Sequence, residues 1–339
     1  MTVRMYSSLD AGAPALPSLS SQRFIDNLKI ILRACLVDGY GTKPAAGWTI
    51  GHEHADGFSL SNGEGFINFV HDTSNTVSVY LMEVITDGST ALAAGINRRS
   101  GPWFEGEVTN LRHKFFTNLY STVATKSWAL VADDKTCTVL GQGNYSLGGT
   151  VDFPWSSAQA LHFGQYFPVL GGAGFLCLGG GTGANSSMAL WGGGGIYGTT
   201  LRHPFTGLVD QGTAPGYRLW TPHGQGYSAV FSPARFMPRV FQGVRAGVAG
   251  GGVGLSGAAI AYTQMVFSGM LRGLLAEPVM SAVNLSHVLP ALGVASPVLD
   301  DRLKALDVGG KALWPLFPHT GDLGGFVSLD PEDWGPLWS

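Results

Sequence analysis

The densest group of side chains that could bind a metal ion is His52-Glu53-His54. Residues two positions apart on a β-strand point to the same face, so His52 and His54 would present two imidazoles together. Zinc sites in proteins use three or four such ligands, and the sequence shows neither an HExxH motif nor an identifiable third ligand. A metal role for His52 and His54 is therefore a weak alternative, and a solvated turn or a polar interface contact is favoured.

A second candidate is the glycine-rich segment Gly179–Gly183 (GGGTG), which superficially resembles a nucleotide-binding loop. A dinucleotide-binding fingerprint needs an acidic residue about 20 positions further on, and a P-loop needs Lys followed by Ser or Thr after its last glycine. Here Ala184 and Asn185 follow, and no acidic residue appears before Arg202. The sequence therefore predicts a structural loop and no bound cofactor.

Carboxylates and aromatic residues leave a carbohydrate-related role open. Glycoside hydrolysis needs two carboxylates that face each other across a groove, and the sequence does not show which of its acids would pair. The candidates are Asp56, Glu64, Asp72, Glu105 and Glu107. Aromatic side chains can line a sugar platform, but they serve equally well as core or interface anchors. These aromatics are Trp103, Phe104, Trp155, Tyr166, Trp191 and Trp220. No catalytic residue is assigned, and we expect a protein that is not an enzyme.

Charge is sparse and unevenly distributed in this chain. Charged residues make up 13% of the sequence, about half of the ~25% that is usual for soluble domains. Asp152 is the only charged residue between Lys135 and Arg202. Because charged side chains normally mark where a chain meets water, we interpret this stretch as surface that other protein chains cover. The net charge of −3 and the scattered basic residues do not indicate a nucleic-acid partner.

One stretch is long enough to cross a bilayer. Residues 246–271 carry no charge over 26 positions, but Ala246–Gly257 is mainly glycine and alanine. A glycine-rich loop followed by a buried strand is favoured, and no membrane span is expected. The N-terminal residues lack the apolar run of a signal peptide. Three widely spaced cysteines suit folding in a reducing cytosol.

One helix is predicted near the N-terminus. Ser20 or Ser21 is the expected N-cap and Gly39 the residue that ends the helix. The apolar residues between them recur at helical spacing; they are Phe24, Ile25, Leu28, Ile31, Leu32, Cys35 and Leu36. The preceding segment, Met1–Leu19, lacks periodicity and is predicted to be an extended arm that lies on a neighbouring subunit.

After Trp48 the pattern changes to short strands separated by turn residues. Gly65–Asp72 and Val77–Thr86 predict one hairpin, and Ser127–Gly141 predicts another that turns at Asp133–Lys135. Further strands are expected within 161–170, 271–280, 311–317 and 325–330. The expected fold is mainly β, sandwich-like or barrel-like, with one N-terminal amphipathic helix and glycine-rich interface loops.

The chain is expected to contain three regions. Residues 1–45 form the arm and the helix, and residues 46–240 form the main β domain. The glycine-rich tract 171–198 belongs to that domain and is predicted to form loops or tightly packed strands at an interface. Residues 241–339 form a glycine-rich connector and a C-terminal β region.

Several of these segments resemble virion structural proteins of tailed bacteriophages. The N-terminal ones are MYSSLDAGAP (Met5–Pro14), LRACLVDGYGTKPAAGW (Leu32–Trp48) and the strand GFINFV (Gly65–Val70). In that family a short Tyr-Ser-Ser arm and a Gly-Ala-Pro element precede the helix, and a CLVDGYG.KPAAGW signature ends it. This part of the resemblance is fairly specific and covers about the first 70 residues.

The resemblance continues more loosely along the chain. Ser127–Leu140 is similar to a family strand pair with Trp and Asp, and LHFGQYFPV is similar to a segment in which Asp is usual where Gln165 stands. RGLLAEPV, from Arg272, is similar to an RGLY.P stretch that leads to a terminal tryptophan, here Trp334; Leu275 replaces the aromatic residue. The tract 171–257 departs most from the family pattern.

The resemblance implies a structural component of the phage particle at the tail tip or baseplate, made in the host bacterial cytoplasm and located in the virion. Its partners would be other copies of itself and neighbouring tail proteins. A host surface receptor is a further candidate partner. A receptor- or glycan-binding module at the tail end, and a capsid decoration or head–tail joining protein, are alternatives. The family supplies no catalytic residues. The interface candidates are Tyr6, Pro14, Leu170, Phe175, Trp191, Tyr197 and Trp220.

Overall fold

A computed structural model describes most of the N-terminal half of the chain and separate parts of the rest. The described residues are 2–17, 23–73, 76–100, 113–116, 126–143, 159–168, 171–179, 196–202, 207–208, 217–219, 239–243, 265–275, 305–308, 310–316 and 325–335. Within them the fold is mainly β, with several antiparallel sheets and one short α-helix. The predicted fold class is therefore confirmed.

Helix α1 spans Phe24–Arg33 and continues as a π-helical turn over Ala34–Asp38. All seven residues of the predicted apolar stripe are buried. The N-cap is Arg23, whose backbone N–H donates to the Asp26 carboxylate over 3.2 Å; Ser20 and Ser21 lie outside the described residues. The helical segment ends at Gly39 as predicted, because the φ of 78° there favours glycine.

The strands are short and follow one another closely in the chain. In order they are β1 (Arg4–Ser7), β2 (Thr49–His54), β3 (Gly57–Ser61), β4 (Phe66–Thr73), β5 (Thr76–Met82), β6 (Val84–Asp87), β7 (Ala94–Ile96), β8 (Arg99–Ser100), β9 (His113–Phe116), β10 (Lys126–Ala132), β11 (Thr136–Gly143), β12 (Gln159–Pro168), β13 (Gly174–Gly179), β14 (Ile196–Thr200), β15 (Tyr217–Leu219), β16 (Arg239–Gly243), β17 (Met265–Leu271), β18 (Leu274–Leu275), β19 (Leu306–Val308), β20 (Lys311–Leu316) and β21 (Gly325–Ser328). A 3-10 helix follows at Pro331–Trp334.

These strands form three sheets and a two-stranded ribbon within the described residues. The large sheet has the order β1-β10-β11-β12-β13-β14-β15, and β17 joins it beside β12 and carries β16. The second sheet has the order β2-β3-β4-β5-β8, with β9 also paired to β5. The C-terminal sheet has the order β18-β21-β20-β19, and β6 and β7 form the ribbon.

The predicted hairpins are present. β4 pairs with β5 where the first hairpin was expected, and β10 pairs with β11 through the turn at Asp133–Lys135. The C-terminal strands β18, β20 and β21 lie within their predicted segments, and β12 overlaps the predicted segment 161–170 but begins two residues earlier, at Gln159. In the glycine-rich tract 171–198, the described parts are a bend at 171–173, strand β13 and the start of β14; β13 and β14 pair antiparallel.

A single hydrophobic core joins the helix, the second sheet and the large sheet. The Phe163 ring of β12 lies 5.4 Å from that of Trp48 and 5.9 Å from that of Phe69 in the second sheet. The predicted boundary between residues 45 and 46 therefore does not separate two cores. The boundary at 240 is also crossed, because β17 pairs with β12 over residues 166–168.

Burial within the chain explains why several described residues of the uncharged stretch after Lys135 are kept from water. The side chains of Cys137, Phe163 and Cys177 are all fully buried by the chain itself. The interpretation that neighbouring chains keep water from this stretch is therefore wrong for these residues. Residues 180–195 lie outside the described ranges.

The apolar end of the other uncharged stretch is strand β17, as expected for a buried strand. In the part of the chain that the structure describes, no helix has the length and apolar character needed to cross a membrane.

Replacement of Phe163 should destabilise the whole core. We expect Phe163→Ala to lower the free energy of unfolding by about 3–5 kcal/mol, because it leaves a cavity between the two sheets. Urea denaturation followed by circular dichroism measures this change. Val84→Ala is the control, since that side chain is 45% exposed and its loss should cost less than about 0.5 kcal/mol. Equal effects of the two substitutions would contradict the shared core.

Candidate functional site

A buried ion pair lies where the large sheet meets the C-terminal sheet. Arg272, directly after β17, and Asp133, in the turn between β10 and β11, are both completely buried. The Arg272 Nη2 atom donates to Asp133 Oδ2 over 2.6 Å. Two opposite charges have therefore been removed from water together, which is favourable only when their hydrogen bonds are also satisfied.

The surrounding groups supply those hydrogen bonds. Arg272 also donates from Nη1 to Thr136 Oγ1 over 3.0 Å and from Nε to the Trp334 carbonyl over 2.8 Å. The second carboxylate oxygen of Asp133 accepts from the backbone N–H groups of Lys135 and Thr136, over 2.8 and 2.7 Å. Each partner of the ion pair is thus held by neighbouring segments of chain.

Two further segments meet at the same place. The Trp48 indole Nε1 donates to the Asp133 carbonyl over 2.9 Å. Thr136 Oγ1 donates to the Gln165 carbonyl over 3.0 Å, so this hydroxyl connects β12 to the Arg272 side chain. We call Trp48, Asp133, Thr136, Arg272 and Trp334 the arginine cluster.

Two glycines allow the backbone to reach this arrangement. Gly164 has a φ of 119°, and a Cβ there would collide with the Lys135 carbonyl oxygen. At this bend β12 leaves β11, and Leu271 of β17 pairs with Tyr166 further along. Gly273 has a φ of 68°, and a Cβ there would collide with the Trp334 ring. The left-handed conformation and the close approach both favour glycine.

Burial dominates the electrostatics of the ion pair. It raises the pKa of the Asp133 carboxyl above its ordinary value, although the Arg272 charge and the two backbone N–H groups oppose the rise. It lowers the pKa of the Arg272 guanidinium, which the nearby carboxylates oppose. Since both charges are engaged by protein groups and hidden from solvent, the arginine cluster is suited to holding segments together and not to reacting with a substrate.

A second contact set fixes the N-terminal arm. The Asp10 carboxylate accepts from the Tyr40 hydroxyl and from the Ser7 backbone N–H, each over 2.7 Å. It also pairs with Lys43 over 3.1 Å, and Lys43 Nζ donates to the Met5 carbonyl over 2.6 Å. We call this the arm–loop contact, because it joins residues 4–13 to the loop 39–44.

The described part of the arm therefore belongs to its own chain. β1 pairs with β10, and Tyr6 is fully buried, with its hydroxyl donating to the Pro44 carbonyl over 2.8 Å. The expectation that the arm lies on a neighbouring subunit is wrong for these residues. Met5 and Ser7 use outward-facing backbone groups for the arm–loop contact, so the outer edge of β1 is blocked against a further strand.

The two histidines considered as metal ligands are engaged within the second sheet. His52 is buried; its Nδ1 lies 2.9 Å from Ser59 Oγ and its Nε2 lies 3.3 Å from the Ala91 carbonyl. Burial lowers the pKa of His52, which favours the neutral ring. His54 Nδ1 accepts from the Asp56 backbone N–H over 3.0 Å and so closes its own turn. His54 therefore lies in a turn, as expected, and His52 makes buried polar contacts within its own chain.

The interface candidates fall into three groups. Tyr6 and Phe175 are buried within this chain, so their side chains are core residues and offer no surface to a neighbour. Pro14 is partly exposed, and Tyr197 lies in β14. Leu170, Trp191 and Trp220 lie outside the described residues.

Some of the acids and aromatics considered for carbohydrate chemistry have structural partners. Asp56 pairs with Arg23, and Glu64 pairs with Lys135 over 3.4 Å. Tyr166 is buried. Glu105, Glu107 and the five tryptophan and phenylalanine residues named above lie outside the described ranges.

Arg272 and Asp133 were not assigned a role from sequence. A signal was present, since Arg272 is the charge that ends the 26-residue uncharged stretch. An isolated charge next to a buried strand is expected to find a buried partner, but the sequence does not show that the partner is 139 residues away.

Comparison of the chain with known proteins identified no relative. No protein-family model, no curated protein and no solved structure matches the chain. Among the described residues, no group of three or more His, Cys, Asp or Glu side chains is placed to hold a metal ion.

Removal of one member of the ion pair should be costly. We expect Arg272→Met to lower the free energy of unfolding by about 3–5 kcal/mol, because Asp133 is then a buried charge without its partner. The double substitution Asp133→Leu with Arg272→Met should recover part of that loss. Urea denaturation of the single and double variants measures both effects.

The matched control is Arg33→Met, which removes an exposed ion pair with Glu53 and should cost at most about 1 kcal/mol. A loss from Arg272→Met no larger than that of the control would show that the buried pair does not hold the segments together.

The arm–loop contact predicts where backbone protection is lost. Asp10→Ala removes the acceptor for Tyr40, Lys43 and Ser7, so the amides of Arg4–Ser7 should exchange hydrogen faster by about tenfold or more. Hydrogen-exchange mass spectrometry measures this, with Leu9→Ala as the control, since Leu9 is 46% exposed. In the unmodified chain this protection should be independent of protein concentration. Protection that appears only when the chain oligomerises would contradict an intramolecular arm.

Proposed function

We propose that this chain is a structural subunit of a tailed-bacteriophage virion, placed at the tail tip or baseplate. It acts by assembling with copies of itself and by docking neighbouring tail proteins. In this role the protein does not catalyse a reaction; its fold holds binding surfaces in fixed positions for neighbouring proteins.

One observation carries the proposal: the segments on which the resemblance rests come together in space. The arm Met5–Pro14 meets the loop that ends the CLVDGYG.KPAAGW signature in the arm–loop contact. Trp48, from the end of that signature, meets Asp133 and Arg272 in the arginine cluster. Similarities that arise by chance would be scattered over the folded structure. The contacts between these segments therefore support their belonging to one structural unit, which we call the frame.

A departure from the family pattern is consistent with this frame. Gln165 stands where aspartate is usual, and it takes part through its backbone: its N–H donates to the Lys135 carbonyl over 2.9 Å, and its carbonyl accepts from Thr136. Because these bonds use the main chain, they do not require one particular side chain. The substitution therefore leaves this part of the frame in place.

The buried polar groups of the frame bind one another, so we expect contacts with other proteins to use its surface. Val84 and Ile96 are directly opposed on the ribbon and are 45% and 50% exposed. Exposed apolar side chains of this kind suit docking against other protein. They support a subunit whose neighbours contact it outside the core.

Imaging of the particle tests the proposal. An affinity-tagged copy of the chain, bound by gold-labelled antibody, should be found at the tail end of purified particles of the phage that encodes it. The copy number should match a closed ring, since repeated subunits close by rotational symmetry. Labelling of the head would instead favour a decoration or joining protein. Absence of the chain from purified particles, by mass spectrometry, would overturn the proposal.

A further inference from the structure

His162 is a buried histidine whose second ring nitrogen has no hydrogen-bond partner in the described structure. It lies in β12 and is completely buried. Its Nδ1 lies 2.8 Å from Thr138 Oγ1 in β11, and Nε2 is unpaired. A neutral imidazole can leave an acceptor nitrogen unpaired at modest cost, but an imidazolium needs an acceptor for both N–H groups.

Among the described residues, the groups around His162 do not offer a free negative charge. The Arg272 guanidinium donates to Thr136 Oγ1. Thr136 lies two residues from the His162 partner Thr138, on the same face of β11. The Arg272 charge therefore disfavours protonation of His162. Asp133 is already engaged by Arg272 and by the backbone N–H groups of Lys135 and Thr136. A proton on His162 would therefore add a second buried cation near Arg272, whose hydrogen-bonded carboxylate partner among the described residues is Asp133.

Among the described residues of β11, β12 and β13, and of the turn before β11, the other titratable groups face elsewhere or do not balance the charge. Cys137 of β11 and Cys177 of β13 are the register partners of Phe163, so they lie on the opposite face of the sheet from His162. Tyr166 shares the His162 face of β12 but is uncharged at neutral and acidic pH. The Lys135 side chain is directed to the Asn62 carbonyl, 3.1 Å away.

The shortest described ladder of β12 is the one with β17, the strand directly before Arg272. β11 pairs with β12 over residues 159–164 and β13 over 161–166, whereas β17 pairs only over 166–168. Gly164, with its φ of 119°, separates the β11 portion of this edge from the β17 portion. The repulsion between a protonated His162 and Arg272 can therefore be relieved by releasing β17, while the longer ladders with β11 and β13 remain.

We propose that His162 is an acid-sensitive lock, whose protonation detaches β17 and the C-terminal sheet from the β10–β12 part of the large sheet. Release moves the Arg272 cation away from the imidazolium. The arginine cluster then loses its contacts from Arg272 and Trp334, while the core shared by α1 and the second sheet is retained.

The direction of the pH effect follows from burial, which lowers the pKa of His162 from 6.5 to about 3. A group with a depressed basic pKa binds protons more strongly once it is exposed. The locked state therefore loses stability as pH falls below about 6.5, and the loss continues until about pH 3. The raised pKa of Asp133 acts in the opposite sense, so a comparison of variants at His162 isolates the lock.

Hydrogen-exchange mass spectrometry of the full chain between pH 7 and 4.5 tests this inference, with protection factors corrected for the intrinsic rates. In the unmodified chain, the opening equilibrium of peptides covering 265–275 and 325–335 should rise by up to about 100-fold. Peptides covering 66–82 of the second sheet should change much less. In His162→Gln and His162→Leu the rise should be largely abolished.

The control is His54→Gln, since His54 closes a turn in the second sheet and should leave the response unchanged. Simultaneous loss of protection in residues 66–82 and 265–275 of the unmodified chain would overturn the lock, as would an absent pH response. Either result is decisive even if the His162 variants do not fold. A response that persists in a folded His162 variant would also overturn it.

Discussion

The hydrogen-bonded pair of Arg272 and Asp133 is the constraint on which the described architecture depends. Both charges have left water, so the structure is stable only while each holds the other and the surrounding donors and acceptors stay in place. That requirement fixes the turn between β10 and β11, the end of β17 and the last described helix at one point. Segments that are distant in the chain are thereby held together at one place.

The remaining long-range contacts extend from that point. Trp48 connects it to the helix and the second sheet, since its indole binds Asp133 while its ring packs on Phe163. Thr136 connects it to β12. The arm–loop contact is a separate closure, in which Asp10 and Lys43 satisfy the outer edge of β1. These arrangements use side chains from the segments on which the proposed function rests.

Sequence reasoning succeeded where the determining contacts are local. The apolar spacing within Phe24–Arg33 predicted α1, and alternation around short turns predicted the β4–β5 and β10–β11 hairpins. It failed for pairings such as β1 with β10, because many strands are compatible with one edge and the choice depends on distant residues. The sparse charge after Lys135 correctly indicated burial, but it did not show which residues cover the stretch. We therefore expected neighbouring chains to cover residues that the same chain buries. The Arg272–Asp133 pair was missed for the same reason.

The pairing of β1 with β10 has a consequence for synthesis on the ribosome. Arg4 lies opposite Ala132, so the first strand emerges well before its partner has been made. At a translation rate of about 5–20 residues per second, it waits roughly 10 s, during which α1 and the hairpins of the second sheet can form without it. Asp133 waits longer still for Arg272. Until these partners are made, Asp133 is hydrated and β1 is unpaired, so the early synthesis of β1 gives no early closure of the fold.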